Sequence, residues 1–323
     1  MMNRSLAWVL GAMVVAGAPM VAAQSARAAD DVFISVDEAH KLVGNPNVRF
    51  IFADGEKDFE KAHISGAVDA FAHDLHYLND IRASDGLPMT QAHAFQYIGR
   101  NMGVDARTQV IVYDGGMGAN ASGDWFFLRL YGQSNVNIMD GGLATWQAKG
   151  YAVEKGATRS PAAKHYSGSV RRDMIASKEE VLKATKDSGH YLILDARHNL
   201  DEYTGKSLLA ALAAPGKEET VARGGYIPTA VFSPWTKYAG NKGGDANKPT
   251  LKSAKDLSKQ LDKLKRNGYA PNKTVISYCH VGLGRGSFQY LALRKAGHAN
   301  TKVYIGSWDE WGNTPSLPVG KAQ

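Results

Sequence analysis

Residues 109–146, QVIVYDGGMGANASGDWFFLRLYGQSNVNIMDGGLATW, return as 274–311, TVISYCHVGLGRGSFQYLALRKAGHANTKVYIGSWDEW, without a gap at an offset of 165. Val110 and Tyr113 meet Val275 and Tyr278. Ser122, Leu128 and Arg129 meet Ser287, Leu293 and Arg294, and Gly132, Asn135, Gly141 and Trp146 meet Gly297, Asn300, Gly306 and Trp311. A match this long requires two copies of one structural unit. The period is too large for a solenoid, so each copy is a domain. The fronts of the copies agree more loosely: 48–68 matches 191–231, with Asp54 set against Asp195 and Ile64 against Ile227. The second copy carries about twenty extra residues there, including KSLLAALAAPGKEET (206–220), whose Ala/Leu part predicts a helix.

Inside each copy, short apolar runs alternate with longer amphipathic ones. FIF, VIVY and VNIM in the first copy, and LILD, TVISY and KVYI in the second, predict buried strands. VDEAHKLV, MTQAHAFQYIGRNMG and SGDWFFLRLYG predict helices, as do SKEEVLKATKDSG, SAKDLSKQLDKLKRNG and SFQYLALRKAG. Such alternation predicts an α/β fold with a largely parallel sheet in each copy, and a site at the carboxyl ends of the strands. The segment 155–173, rich in Ser, Gly, Pro and charge, divides the copies as a linker.

Residues 1–28 carry an export signal by pattern: Arg4, the apolar stretch 6–23, and ARA (26–28) as a cleavage site. The expected divisions are a leader at 1–28, domains at 29–154 and 174–323, and the linker between them. A periplasmic or secreted product follows, and no later segment is long and apolar enough to span a membrane. The formal charge of +7 falls to +5 once Arg4 and Arg27 leave with the leader. Those charges are interspersed, which suits small anions and offers no basic run for nucleic acid.

The chain has one cysteine, Cys279, so it forms no internal disulfide. It is either a small inert core residue or a presented thiol. In the expected architecture it follows the strand 274–278 and precedes a helix over roughly 287–297. His280, Val281, Gly282, Leu283, Gly284, Arg285 and Gly286 turn the chain between them. The three glycines let backbone N–H groups converge, the helix N-terminus adds partial positive charge, and Arg285 adds a full one. Together these favour a thiolate and make an anion cradle beside it. Copy one has Asp114 and Asn120 where copy two has Cys279 and Arg285, so it is expected to be structural only. Around the loop, Asp195 is expected to accept loop hydrogen bonds, and Arg197 to pair with nearby acids and prop the loop. Ser287 opens the expected helix. Trp235, Lys237 and Tyr238 either line the pocket mouth or pack ordinarily. The HDLH pair, His73 and His76, has metal-like spacing but lacks a third ligand, and no nucleotide motif is present, so no cofactor is expected.

These residues resemble the tandem rhodanese family of sulfurtransferases. HISGAV (63–68) and GYIPTAVFSPW (225–235) are similar to its H-I-x-G-A motif, and DAR…DEYTG (195–205) to its D-x-R…E-[FY]-x-G motif. MDGGLATW (139–146) and YIGSWDEWGNTPSLPV (304–319) resemble the segment after the active-site helix. The resemblance covers nearly all of the chain beyond the leader. It implies two rhodanese-like domains, each a small, mostly parallel sheet flanked by helices, with the second catalytic. It also implies a Cys279 persulfide, formed from thiosulfate or 3-mercaptopyruvate and passed to a thiol or cyanide. Residues 280–286 would bind the donor. Two departures stand out. CHVGLGR also reads C-x5-R, the loop length of rhodanese-fold phosphatases and arsenate reductases, although Tyr278 replaces the histidine usual before a phosphatase cysteine. Glu202 stands where some thiosulfate-specific members carry a substrate-binding Arg. A cysteine phosphatase or oxyanion reductase, and a non-catalytic sulfur carrier, are therefore the alternatives to a sulfurtransferase.

Overall fold

The computed structural model describes residues 32–71, 75, 85–157, 159–208, 210–211, 219–241, 245 and 247–321. The expected leader and His73 and His76 lie outside these residues. The first unit is a parallel sheet of β1 (Phe33–Ile34), β2 (Val48–Phe52), β3 (Val68–Asp69), β4 (Gln109–Tyr113) and β5 (Val136–Met139), in the order β1-β5-β4-β2-β3. The second is a parallel sheet of β6 (Tyr191–Asp195), β9 (Val231–Phe232), β10 (Thr274–Tyr278) and β11 (Thr301–Val303), in the order β11-β10-β6-β9. Its counterpart of β1 has shrunk to one parallel bridge, Ile175 to Val303. The helix expected within 206–220 is replaced, where the chain is described, by two short strands, β7 (Ala210–Ala211) and β8 (Glu219–Thr220), paired antiparallel. Helix propensity is a weak prior, and backbone pairing overrides it here.

The flanking helices are α1 (Val36–His40), α2 (Glu56–Lys61), α3 (Gln91–Gln96), α4 (Ala119–Leu130) and α5 (Gly142–Ala148) in the first unit. In the second they are α6 (Lys178–Ala184), α7 (Leu200–Thr204), α8 (Ala254–Leu264), α9 (Arg285–Lys295) and α10 (Ser307–Gly312). Side-chain alternation along each central strand feeds two cores. From β4, Val110 and Val112 enter a core common to both units, while Ile111 and Tyr113 enter an outer one with Phe50, Phe52 and Trp146. From β10, Val275 joins the common core, while Ile276 and Tyr278 join the second outer core with Trp308 and Trp311.

The common core explains why α4 and α9 are buried nearly all round, without a polar stripe. These two helices, equivalent in the repeat, pack on each other, with the Phe126 and Tyr290 rings edge to face at 5.1 Å. The segment expected as a linker is tied down: Tyr166 is buried and donates to the Tyr131 carbonyl at 3.1 Å, and Lys164 N–H donates to the Gly99 carbonyl. No helix of the described residues is long and apolar enough to cross a membrane.

Candidate functional site

Cys279 follows β10 directly and is 2% exposed. The helix after it starts at Arg285, two residues before the expected start, because Gly284 at φ 141° breaks the turn and its carbonyl accepts Phe288 N–H at 2.8 Å. The turn thus places Gly286 inside the first turn of α9, where its N–H donates to Cys279 Sγ at 3.3 Å. The Cys279 backbone is fixed from the other side. Its N–H donates to Ser307 Oγ at 3.1 Å, and its carbonyl accepts Trp308 N–H at 3.1 Å. The His280 carbonyl accepts Asp309 N–H at 3.0 Å, so the loop sits on the start of α10.

Gly282, at φ 74°, tolerates no side chain: a Cβ would lie 2.7 Å from Ile305 Cα. Ser287 closes the turn by donating N–H and Oγ–H to the Gly282 carbonyl. The side chains of Val281 and Leu283 are buried, and Leu283 N–H is spent on the Val281 carbonyl. The amides of His280, Val281, Gly282 and Gly284 make no hydrogen bond with the described residues.

The other copy shows what such a loop holds. Asp114 occupies the Cys279 position and is 4% exposed. Its Oδ1 accepts N–H from Gly116 at 2.8 Å and Gly118 at 2.9 Å, and its Oδ2 accepts from Ala121 at 3.3 Å. Ala121 is the repeat equivalent of Gly286, so carboxylate and sulfur take the same donor. Burial raises the Asp114 pKa against the pull of these amides. The left-handed glycines are 116 and 118 in this loop but 282 and 284 in the other, one position later in the repeat. The helix likewise begins at Ala119 in one copy and Arg285 in the other. The Cys279 turn therefore passes into its helix one position later than its twin, over the same length of chain.

Strand register corrects the pairing of the fronts. Phe52 lies opposite Tyr113, and Asp195 opposite Tyr278. Asp195 thus corresponds to Phe52, and Asp54 to Arg197. Asp54 bonds its loop, accepting Gly115 N–H at 2.5 Å and Asn120 Nδ2–H at 2.8 Å. Burial, then the charge of Asp114, raises its pKa to about 6.

Asp195 does not accept from the Cys279 loop, contrary to expectation. It lies on the outer-core side of β6 and accepts from Arg197 Nε at 3.0 Å, Arg197 Nη2 at 2.6 Å and Tyr278 Oη at 2.5 Å. Both members of this ion pair are fully buried. Arg197 Nη2 also donates to the Gly225 carbonyl at 2.7 Å, and the guanidinium lies 4.8 Å above the Trp308 ring. Its Nη1 is buried without a hydrogen-bond partner. Burial, then the charge of Asp195, holds the Tyr278 hydroxyl well above its ordinary pKa.

His280 is half-buried beside the loop, between Glu202 and Arg285. Burial would raise the Glu202 pKa, but its hydrogen bond and charge interaction with His280, and then the charge of Arg197, hold it lower.

Of the three aromatic and basic residues given either a pocket-mouth or an ordinary packing role, two are core. Trp235 packs edge to face on Phe288 at 5.2 Å, and Tyr238 is buried with its hydroxyl 2.7 Å from Ser233 Oγ. Lys237 lines a cavity of about 390 Å³ with Lys252, Lys263 and Arg266, which contains none of residues 279–286. Sequence reasoning missed Ser307 and Trp308. The repeat held a signal for Ser307, because it replaces Gly142 of copy one. Among the described residues, no group of three or more His, Cys, Asp or Glu could hold a metal ion.

A model of the rhodanese-like domain matches residues 35–149 and again 177–314. A protein of Saccharopolyspora erythraea is 28% identical over 298 residues, 91% of this chain and 98% of its own length. One from Haloferax volcanii is 27% identical over 300 residues, 91% of this chain and 97% of its own. Their names assign both, provisionally, to the thiosulfate sulfurtransferases. Among solved structures, SseA from Escherichia coli, described as a 3-mercaptopyruvate sulfotransferase with the rhodanese fold, is similar at a TM-score of 0.65 and 24% identity. That match covers 86% of this chain and 98% of SseA. Tum1 from Saccharomyces cerevisiae is similar at a TM-score of 0.69 and 19% identity, covering 90% of this chain and 97% of its own. At these identities the structural likeness establishes the fold alone.

Proposed function

The chain belongs to the rhodanese-like family, and on that footing we propose that it is a sulfurtransferase carrying sulfane sulfur as a persulfide on Cys279. The observation that supports this most is the shared donor: Gly286 N–H meets the Cys279 sulfur where Ala121 N–H meets the Asp114 carboxylate. A loop that binds a built-in anion in one copy presents a sulfur and open amides in the other. The Cys279 thiolate attacks the outer sulfur of thiosulfate, the S–S bond breaks, and sulfite leaves with the electron pair. An acceptor thiolate or cyanide then attacks the sulfane sulfur, and Cys279 departs again as thiolate. The two half-reactions share one site, which gives ping-pong kinetics. The loop amides act as preorganised donors to the anion, and Arg285 supplies its counter-charge. The relatives' names favour thiosulfate as donor, and 3-mercaptopyruvate, which SseA is described as using, is the second candidate.

Thiocyanate formation from either donor plus cyanide tests the reading. Wild type forms it and Cys279→Ser does not; no product with both donors overturns the proposal. The C-x5-R spacing of Cys279 and Arg285 favours one other reading, a phosphatase or arsenate reductase, which turnover of an aryl phosphate or arsenate would support. A persulfide on Cys279 without steady-state turnover would indicate a sulfur carrier. We also read residues 1–28 as an export leader, and an N-terminus at residue 29 on the protein recovered outside the cytoplasm is the expected result.

A further inference from the structure

Lys237, Lys252, Lys263 and Arg266 line one cleft of about 390 Å³ on the second unit, and they reach it from separate segments. Lys237 ends the 3₁₀ turn Trp235–Lys237 after β9, and Lys252 precedes α8. Lys263 lies in the last turn of α8, and Arg266 in the 3₁₀ turn Lys265–Asn267 that follows. No described acidic residue lines the cleft. The acids of α8 are spent elsewhere: Asp256 pairs with Lys259 at 2.9 Å, and Asp262 with Lys265 at 2.7 Å. Lys237, Lys263 and Arg266 form no ion pair with the described residues. Lys252 is held in place, its Nζ donating to the Lys237 carbonyl at 2.6 Å. Burial, then the charge of Lys263, works against the charged form of Lys237. Like charges gathered in a concave place, with apolar walls from Val231, Phe232 and Leu264, repel one another and concentrate anions. The fold does not demand this charge. In copy one, 91–101 hold Arg100 as their only Lys or Arg, whereas 254–267 hold four lysines and Arg266.

We propose that this cleft is a second anion site, separate from the Cys279 loop, and that it takes a small polyanion such as a di- or triphosphate group. A single monoanion would leave most of the four cations unanswered. The cations converge on one concavity and form no stripe, which fits a compact ligand and not an extended acidic segment. The volume lies within the roughly 300–1,000 Å³ of small-molecule sites. Arg266 brings a planar fork suited to two oxygens of one phosphate, and Gln260 and Asn267 add neutral amide donors. None of residues 279–286 lines the cleft, so an occupant there leaves the sulfur site open. The site stands independently of the reaction assigned to Cys279.

Inorganic tripolyphosphate is the probe, titrated calorimetrically into the full chain at low ionic strength. Wild type is expected to bind it, and more weakly as salt is added. Lys263→Gln with Arg266→Gln is expected to weaken binding by about tenfold or more, as for lost charge-assisted hydrogen bonds. Lys255→Gln with Lys259→Gln removes as much charge outside the cleft and is expected to bind within about twofold of wild type. All four side chains are exposed, so neither pair threatens the fold. No binding by wild type overturns the proposal. So does an equal loss in both pairs, which would mean attraction by net charge alone. Binding that the Lys263 and Arg266 pair leaves unchanged overturns it too, because the anion would then sit elsewhere, as in the Cys279 loop. An oligoglutamate peptide that binds more tightly than tripolyphosphate through Lys263 and Arg266 also overturns it, since the cleft would then serve an acidic protein segment. Thiocyanate formation by the Lys263 and Arg266 pair is expected to match wild type, and a loss there would overturn the separation of the two sites. If wild type forms no thiocyanate at all, the sulfurtransferase reading fails, and the calorimetry still decides the cleft.

Discussion

Ser307 has a left-handed backbone, φ 50°, at the position where copy one has Gly142 at φ 56°. A side chain there costs about 1–2 kcal/mol. The chain tolerates this and gains a hydroxyl that accepts Cys279 N–H and donates to the Tyr304 carbonyl at 2.8 Å. Ser307→Gly is therefore expected to leave stability unchanged or raise it by about 1 kcal/mol in denaturant titrations, while lowering thiocyanate formation. Ser307→Ala keeps the strained backbone and loses the acceptor, so it should lose both stability and activity. The Asp195–Arg197 pair predicts the opposite balance. Arg197→Met leaves a buried carboxylate unpaired and should cost about 3–5 kcal/mol, whereas adding Asp195→Asn should return much of that loss. A single variant as stable as wild type would contradict this reading of the pair.

Strands and helices show where sequence was enough. VIVY, TVISY and the helices around SGDWFFLRLYG and SFQYLALRKAG were legible because apolar runs of strand length alternate with longer runs ending in Gly. The α9 start was not, because it depends on the φ of Gly284, and three glycines in a row of turns leave that choice open. The slip that set Asp54 against Asp195 has a similar cause. Matching like residues put acid on acid, but backbone pairing across to Tyr113 and Tyr278 puts Asp54 at the Arg197 position. Glu202 and His280 meet across 78 residues of chain, a contact no local pattern encodes. At this scale the α4–α9 contact makes a prediction of its own. Phe126 is fully buried against Tyr290, so Phe126→Ala should cost about 3–5 kcal/mol. Because the core is common, fluorescence and far-UV signals should lose stability together in one transition; two separated transitions would mean that the units fold independently.

Across the whole molecule, the two copies differ most in the sign of their sites. Copy one brings two carboxylates together, Asp54 and Asp114, where copy two has Arg197 and Cys279. Asp54 has its pKa raised from 3.8 to about 6, so the folded state binds its proton more tightly than the unfolded state. Its favourable contribution is complete below about pH 4 and is lost as pH rises through about 6. Asp54→Asn should therefore raise the unfolding free energy above about pH 6, by about 3 kcal/mol, and change little near pH 4. A variant less stable than wild type at neutral pH would refute the assignment. The copies differ in the shape of the turn as well as in a side chain, since the Cys279 turn hands over to its helix one position later within the same length of chain. Asp114→Cys in a Cys279→Ser background should accordingly give no thiocyanate: it returns the sulfur but neither the Arg285 charge, since Asn120 stands there, nor the later-breaking turn. The two turns have the same number of residues and differ in which glycines are left-handed, so giving the first copy the second one's chemistry would take several substitutions and no insertion.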